Sequence, residues 1–303
     1  MKKTILIIGG AGFIGSNLIR FITYNSNNYN LISLDKLQDV SCMHNVYMNK
    51  SNNFYLADIN DESILDHIFR FNKPSIIINL ISDYCAIKKL HKICVKYDIE
   101  KFVNLSYPFY IKETIEDSPI SSNNIYTDEE FSSYCIDNYI TSKLFNLNYN
   151  IVRVPKCFGP RQQIFNTIPD LFYNLIKQEN IVLPNKGMDV YDLLYVEDVC
   201  NAILLVLEKG ADKNIYNASI NLDYTEFELA VIVRDVLLNA KANNKIDYTV
   251  GNIALDDLVE TIEKAPVNSD KIRNLGWKPL RKFRENIKYT VSWYMNNKWF
   301  FNI

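Results

Sequence analysis

The chain is 303 residues long, 48% hydrophobic and 22% charged, with a formal net charge of −2. This length suits one large domain or two interleaved domains with a sizeable core. The balanced charge argues against a nucleic-acid-binding surface, and no apolar run reaches the roughly 18 residues of a membrane-spanning helix. We therefore expect a cytoplasmic globular protein with neither nucleic acid nor a membrane among its partners.

A glycine-rich turn follows the first predicted strand, residues 4–8. Gly9, Gly12 and Gly15 are spaced for a tight strand-to-helix turn, and a helical pattern continues to residue 24. Such a turn lets the backbone approach a pyrophosphate, whose charge is bound by the helix N-terminus. The opening apolar run is too short for a signal-peptide core, so a strand explains it better. We predict a dinucleotide site at this turn.

The second predicted strand, residues 31–34, ends directly before Asp35. An acid about twenty residues after the glycine-rich turn is placed to bind the ribose hydroxyls of a dinucleotide. This carboxylate would repel a 2′-phosphate, which favours NAD over NADP. Because the positively charged Lys36 lies next to Asp35, the sequence does not exclude NADP as the cofactor.

Strands and helices alternate through the first half of the chain. Further strands are predicted at residues 54–56, 75–80, 101–105 and 150–154, and helices at residues 61–71, 84–97 and 133–147. This alternation predicts an α/β protein with a doubly wound, Rossmann-type parallel sheet. Ligands of such sheets bind beyond the carboxyl ends of the strands.

A reaction centre is predicted from Ser106, Tyr139 and Lys143. Ser106 ends the strand 101–105, and a helix would place Tyr139 and Lys143 one turn apart on the same face. A lysine ammonium there would lower the pKa of the phenol, and a phenolate could accept the proton of a substrate hydroxyl. The Tyr-x-x-x-Lys pattern occurs five times, but only this copy follows a serine-ended strand and precedes the next strand.

The pattern changes after Pro155. A Gly159-Pro160 turn is followed by predicted helices at residues 168–177, 197–209, 224–240 and 283–296. We predict an NAD(P)-binding domain over residues 1–155 and a smaller, partly interleaved substrate lobe over residues 156–303. Segments near residues 190–215 are expected to return to the first domain.

The six cysteines and three histidines are scattered along the chain, and no CxxC pair occurs. Reduced thiols are expected, and no metal site is predicted.

The motifs together resemble extended short-chain dehydrogenases/reductases of the nucleotide-sugar epimerase/dehydratase family. The resemblance is carried by residues 9–15, the pair Asp58-Ile59, Ser106 with Tyr110, Tyr139 with Lys143, residues 153–161, residues 195–199, residues 269–271, residues 275–279 and the pair Trp293-Tyr294.

This resemblance implies that NAD(P) oxidises or reduces C4 of a nucleoside diphosphate sugar through a 4-keto sugar. It also implies a homodimer that pairs through the helices 84–97 and 133–147. The cofactor contacts that we predict are Gly9, Gly12, Phe13, Ile14, Gly15, Asp35, Lys36, Asp58, Ile59, Leu80, Tyr139, Lys143 and Pro155.

The chain departs from this family where substrate should bind. A loop that usually follows the fourth strand is missing after Ser82, Lys156 replaces an asparagine, and Tyr191 replaces an arginine. The predicted substrate contacts are Lys156, Arg161, Lys186 and Tyr191.

The reaction type is narrowed by two further positions. The 4,6-dehydratases of the family carry an Asp-Glu pair where this chain has Tyr107 and Pro108, which cannot eliminate water. We therefore rank a C4 epimerase or 4-keto-sugar reductase above a 4,6-dehydratase. A dinucleotide-binding sensor or assembly protein without turnover is the alternative from another class.

Overall fold

The structure is a computed structural model. It describes residues 2–37, 43–47, 52–107, 128–144, 146–164, 166–242, 250–255 and 267–301. Contacts divide the chain into two compact units. Unit 1 comprises Met1–Pro155, Glu197–Ser219 and Ala265–Lys278. Unit 2 comprises Lys156–Val196, Ile220–Lys264 and Pro279–Ile303.

Twelve strands are formed by the described residues. They are β1 (Lys3–Ile8), β2 (Tyr29–Asp35), β3 (Asn52–Leu56), β4 (Ile76–Asn79), β5 (Lys101–Ser106), β6 (Tyr149–Arg153), β7 (Lys156–Phe158), β8 (Ile181–Leu183), β9 (Val190–Tyr195), β10 (Asn214–Asn217), β11 (Asp223–Thr225) and β12 (Ile253–Leu255).

Ten α-helices connect these strands in the described parts of the chain. They are α1 (Phe13–Asn25), α2 (Met43–Tyr47), α3 (Glu62–Asn72), α4 (Tyr84–Lys96), α5 (Asp128–Lys143), α6 (Thr167–Ile176), α7 (Val196–Lys209), α8 (Glu226–Ala242), α9 (Asp270–Asn274) and α10 (Phe283–Asn296). Short 3-10 helices lie at Pro184–Gly187 and Lys298–Phe301.

A seven-stranded sheet forms the core of unit 1, in the order β10-β6-β5-β4-β1-β2-β3. Each neighbouring pair is parallel. The central strands are apolar and buried almost throughout, as expected for a parallel sheet with helices on both faces. The predicted Rossmann-type α/β fold is confirmed. All seven strands end at one edge of the sheet, and the predicted dinucleotide site lies there.

Two helices of unit 1 begin at aspartate caps. The Asp61 carboxylate accepts the N–H groups of Ser63 and Ile64, and the Asp83 carboxylate accepts those of Cys85 and Ala86. Such caps satisfy N–H groups that have no partner within the helix. Asp83 follows β4 after only three residues, so α4 begins close to the carboxyl end of that strand.

Helix α5 differs in position from its prediction. It covers Asp128–Lys143, whereas the sequence predicts residues 133–147. Beyond Lys143 the Leu147 N–H donates to the Leu144 carbonyl in a tight turn, and β6 begins at Tyr149. Asparagines at positions 146 and 148 favour such a turn over a further helical turn. Lys143 is therefore the last residue of α5 rather than a residue near its middle.

The apolar stripes of α4 and α5 pack inside unit 1. Both stripes belong to the buried core cluster on one side of the sheet, with members Ile87, Leu90, Ile93, Cys94, Ile136, Ile140 and Leu144. Their burial within the unit accounts for these residues without a second chain. The homodimer stays a prediction.

Unit 2 contains two small sheets. One has three strands in the order β11-β9-β7, and the other pairs β8 with β12. Helix α8 packs against both α6 and α10. Tyr294 of α10 is fully buried, and its hydroxyl donates to the Gly159 carbonyl at 2.9 Å. This bond anchors α10 to the Gly159-Pro160 turn.

Among the described residues, no helix is long and apolar enough to span a bilayer.

Candidate functional site

The glycine-rich turn joins β1 to α1 with a left-handed residue. Gly9 has φ +83°, a conformation that a side chain strains, and the Gly12 N–H donates to the Gly9 carbonyl at 3.2 Å. Helix α1 then begins at Phe13, with Gly12 as its N-cap. No cap side chain covers the first N–H groups of α1, which leaves this helix N-terminus suited to an anion.

Two other glycines allow the turn to pack closely. A Cβ atom at Gly10 would lie 2.3 Å from the Ser33 Cβ, and one at Gly15 would lie 2.1 Å from the Gly9 carbonyl oxygen. Neither distance is possible for real atoms, so only glycine fits at these positions. In a dinucleotide site the helix must pack closely on the strand so that the backbone can approach the pyrophosphate. The close packing of this turn meets that requirement.

Asp35 ends β2 beside this turn and is 8% exposed. Its carboxylate accepts the Ala11 N–H at 3.0 Å and the Leu37 N–H at 2.9 Å. These bonds fix the carboxylate against the glycine-rich turn, where a ribose contact is predicted. Asn45 of α2, which the sequence analysis missed, donates from Nδ2 to the Ala11 carbonyl at 2.9 Å. No local pattern signals this asparagine, because it is brought to the turn by tertiary packing alone.

The remaining predicted cofactor contacts of unit 1 lie around the strand ends. Lys36 and Asp58 are exposed, and Ile59 is buried. The Asp58 carboxylate accepts the Asn60 N–H at 2.8 Å, and the Leu80 N–H donates to the Ile8 carbonyl at 3.2 Å. Phe13 and Ile14 form the first turn of α1, and Pro155 is buried just after β6.

Ser106 is placed at the carboxyl end of β5 and is only 1% exposed. It lies opposite Arg153, the last residue of β6. Arg153 Nε donates to Asp137 Oδ2 of α5 at 2.9 Å, and both side chains are completely buried. Burial raises the pKa of the Asp137 carboxyl, while the Arg153 charge and the Ser106 hydroxyl act to lower it. Ser106 therefore faces the Asp137–Arg153 ion pair.

The sequence analysis did not identify this ion pair. Its signal was an arginine within the apolar run Ile151-Val152-Arg153-Val154, because a charge buried in such a strand needs a partner.

Tyr139 points toward α4. Its hydroxyl lies 3.0 Å from His91 Nδ1, and its ring packs edge-on against the rings of Tyr84 and His91. Burial and the neighbouring Tyr84 raise the pKa of Tyr139, and the charge that acts to lower it is that of Lys88. Lys143 was the cation expected to lower this pKa. It lies exposed at the end of α5.

Helix geometry separates Tyr139 from Ser106. Side chains two positions apart on a helix do not share a face, and Asp137 is the α5 residue that faces Ser106. Ser133, one turn before Asp137, is on that same face, and its hydroxyl accepts the Tyr107 N–H at 3.4 Å. The structure thus brings Ser106 to Asp137, with Ser133 beside the next residue, Tyr107, and it does not bring Ser106 to Tyr139 and Lys143.

The predicted substrate residues all belong to unit 2. Lys156 Nζ lies 4.8 Å from the centroid of the Tyr191 ring, so these two are neighbours. Arg161 is 3% exposed, has a left-handed backbone and lies 6.0 Å from the Trp293 ring. Lys186 is exposed in the 3-10 helix Pro184–Gly187.

No group of three or more metal-ligating side chains occurs within the described ranges.

Residues 5–219 match the model of the NAD dependent epimerase/dehydratase family. The dTDP-D-glucose 4,6-dehydratase of Bos taurus is 27% identical over 329 residues, covering 97% of this chain and 89% of that protein. The dTDP-glucose 4,6-dehydratase of Neisseria gonorrhoeae is 26% identical, covering 98% of this chain and 97% of that protein.

Solved structures share the fold over almost the whole chain. The dTDP-glucose 4,6-dehydratase of Bacillus anthracis, in complex with NAD, has a TM-score of 0.85 at 24% identity, covering 98% of each chain. The UDP-glucose 4-epimerase of Thermotoga maritima, with UDP-glucose, has a TM-score of 0.79 at 22% identity, covering 97% of this chain and 99% of that one. Because the family model matches residues 5–219, which is more than half of the chain, the chain belongs to the NAD dependent epimerase/dehydratase family.

Proposed function

We propose that the chain is an NAD-dependent enzyme that acts at C4 of a nucleoside diphosphate sugar. The observation that carries this proposal is the glycine-rich turn, in which Gly9, Gly10 and Gly15 leave space only for backbone beside the α1 N-terminus. Family membership supports the same conclusion. In this proposal the first N–H groups of α1 bind the pyrophosphate, and the Asp35 carboxylate binds the adenosine ribose. Bound NAD supplies a hydride acceptor for the sugar carbon.

The reaction that we propose is 4,6-dehydration. The epimerase or reductase favoured by the sequence analysis gains less support, because relatives over nearly the full length are dTDP-glucose 4,6-dehydratases. Tyr107 and Pro108 supply neither the acid nor the base of this elimination. In this proposal the acid and the base come from other side chains of the chain.

Tyr139 is kept as the proposed proton acceptor, with Lys143 as its cation. For this role the Tyr139 hydroxyl has to leave His91 Nδ1 and turn toward the carboxyl edge of the sheet. Ser106 would orient the sugar oxygen, which requires its hydroxyl to become accessible from that edge.

The packing of Tyr139 against α4 favours a second candidate, a dinucleotide-binding protein without turnover. In that case Tyr139 serves only to join α4 and α5, and the carboxyl edge of the sheet binds NAD without reacting.

One incubation tests both candidates. Purified chain is mixed with NAD and dTDP-glucose, and the sugar nucleotide and bound cofactor are analysed by mass spectrometry, the sugar nucleotide also by NMR. The dehydratase proposal expects a product lighter by one water molecule, whereas an epimerase leaves the mass unchanged. Bound NAD with a sugar nucleotide unchanged both in mass and in its NMR spectrum would favour the second candidate, since the spectrum would reveal an epimer of the same mass. Absence of bound NAD and of any product would overturn both candidates.

A further inference from the structure

A compact group of polar side chains lies on the three-stranded sheet of unit 2. Lys156 opens β7, Tyr191 lies in β9, and Glu226 is the first residue of α8, directly after β11. The strand order β11-β9-β7 places Tyr191 on the strand between the other two residues. The Lys156 ammonium lies over the Tyr191 ring, 4.8 Å from its centroid.

Carboxylates dominate the charge around this group. Burial lowers the pKa of Lys156, and the Glu226 and Asp189 carboxylates oppose this change. Burial and the same two acids raise the pKa of Tyr191 to about 12, so its hydroxyl stays protonated. Burial raises the pKa of Glu226, and the neighbouring Asp189 and Asp170 raise it further. The group therefore contains one lysine and one acid, and two further acids, Asp189 and Asp170, lie close enough to act on that acid.

This balance does not suit a phosphate group. A diphosphate brought to Lys156 would be attracted by one ammonium and repelled by the nearby carboxylates, and like charges brought together reduce binding. An electrically neutral ligand avoids that repulsion.

The same side chains suit a sugar ring. The Glu226 carboxylate can accept hydrogen bonds from sugar hydroxyl groups, and the Tyr191 hydroxyl and the Lys156 ammonium can donate hydrogen bonds to sugar oxygens. Glu226 Oε2 is buried and has no hydrogen-bond partner within the described parts of the chain. A buried acceptor without a donor costs free energy, which a ligand hydroxyl would recover. Tyr191 and Glu226 are partly exposed, and Lys156 is exposed. Because Glu226 Oε2 itself is covered, the Glu226 side chain has to turn outward for a ligand hydroxyl to reach this oxygen.

We propose that Lys156, Tyr191 and Glu226 form a subsite for the hydroxyl groups of the sugar, and that the diphosphate binds to other residues. This inference rests on the proposed function, because it assumes that the ligand is a nucleoside diphosphate sugar. It narrows the predicted role of Lys156 from a substrate contact to a sugar contact, and it adds Glu226 as a residue that determines specificity.

Two ligands that differ only in the sugar test the subsite. The full chain is titrated calorimetrically with dTDP and with dTDP-glucose, and the Glu226→Gln and Lys156→Gln variants are titrated in the same way. We expect each variant to bind dTDP-glucose about tenfold more weakly, the usual effect of losing a hydrogen bond to a charged group, and dTDP about as well as the parent chain. Glu285→Gln, which changes an exposed acid of α10, is the matched control and should alter neither affinity.

Three other results of these titrations would overturn the subsite. Equal weakening of dTDP and dTDP-glucose by Lys156→Gln would make this lysine a phosphate contact and overturn the subsite. Unchanged dTDP-glucose affinity in both variants would overturn it as well. If the parent chain binds neither ligand, the proposed function fails together with the subsite, whereas the preceding outcomes leave the proposed function intact.

Discussion

Two regions of unit 1 have roles in the proposed function, one in binding the cofactor and one in the reaction. They differ in how closely their geometry agrees with the role proposed for each. In β1–α1–β2 the glycines, the N-terminus of α1 and Asp35 converge at one turn. In β5–α5–β6 the expected partners separate, because Ser106 faces Asp137 and Arg153 while Tyr139 contacts His91.

The comparison shows which kinds of motif can be located from sequence. A glycine-rich turn is determined by local steric limits, so its spacing specifies its shape. A Tyr-x-x-x-Lys pattern specifies only a shared helix face. Which end of the sheet that face meets depends on where the helix begins and ends, and α5 ends at Lys143.

Removing the buried ion pair should give the largest change in stability. Asp137→Ala leaves the Arg153 charge buried without this carboxylate, and breaking such a pair costs about 3–5 kcal/mol. We expect the free energy of unfolding in urea to fall by this amount. Glu100→Ala removes a partner from the exposed Lys3–Glu100 pair and should cost less than about 1 kcal/mol. Similar losses in the two variants would show that Asp137 and Arg153 do not organise this region.

Tyr139→Phe tests whether the second region reacts at all. If the phenol accepts the substrate proton, dTDP-glucose turnover should fall at least about 100-fold, as is typical when a general base is lost. NAD affinity should change little. Turnover equal to that of the parent chain would remove Tyr139 from the reaction and leave it as a residue that packs α4 against α5.

Asp35→Asn tests the first region at a single side chain. A neutral amide in place of the carboxylate should weaken NAD binding about tenfold, because hydrogen bonds to a charged acceptor are stronger than those to a neutral one. NADP should lose less affinity than NAD, since the variant no longer repels a 2′-phosphate. Titrations of the parent chain and the variant with both dinucleotides give the loss of affinity for each. Equal losses of NAD and NADP affinity would exclude a ribose contact by Asp35.

The smallest effect is expected from pH at His91. Burial lowers the pKa of His91 below its usual 6.5, so the unfolded chain gains a proton before the folded chain does. The stability that this imidazole contributes is complete above its unfolded pKa and falls as the pH drops toward its folded pKa. Between about pH 7.5 and pH 5.5 the Tm should therefore fall more for the parent chain than for His91→Gln. Equal decreases would show that His91 does not titrate on unfolding.

Much of the fold follows from the sequence because the buried strands are short apolar runs with turn residues on either side. β1, β4 and β5 lie close to their predicted ranges. The seventh strand of the sheet, β10, was not predicted individually, since it has only four residues and two of them are asparagine. Its apolar pattern is too short to separate it from a loop.

The part of the candidate site at the glycine-rich turn could be predicted from the sequence, because the backbone itself forms it. Gly9 and Asp35 required only local spacing. Asn45, Ser133 and Asp137 reach the site through contacts between distant segments, which one sequence does not specify.

NAD binding at the glycine-rich turn is the central requirement of the proposed function. Calorimetric titration of the purified chain with NAD, beside the Gly15→Ala variant, measures this. We expect saturable binding by the parent chain and none by Gly15→Ala, because the new Cβ would lie 2.1 Å from the Gly9 carbonyl oxygen. Asn27→Ala, at the opposite edge of the same sheet, should bind NAD like the parent chain, and circular dichroism should show all three proteins folded. No binding by the parent chain, or equal binding by Gly15→Ala, would contradict the account.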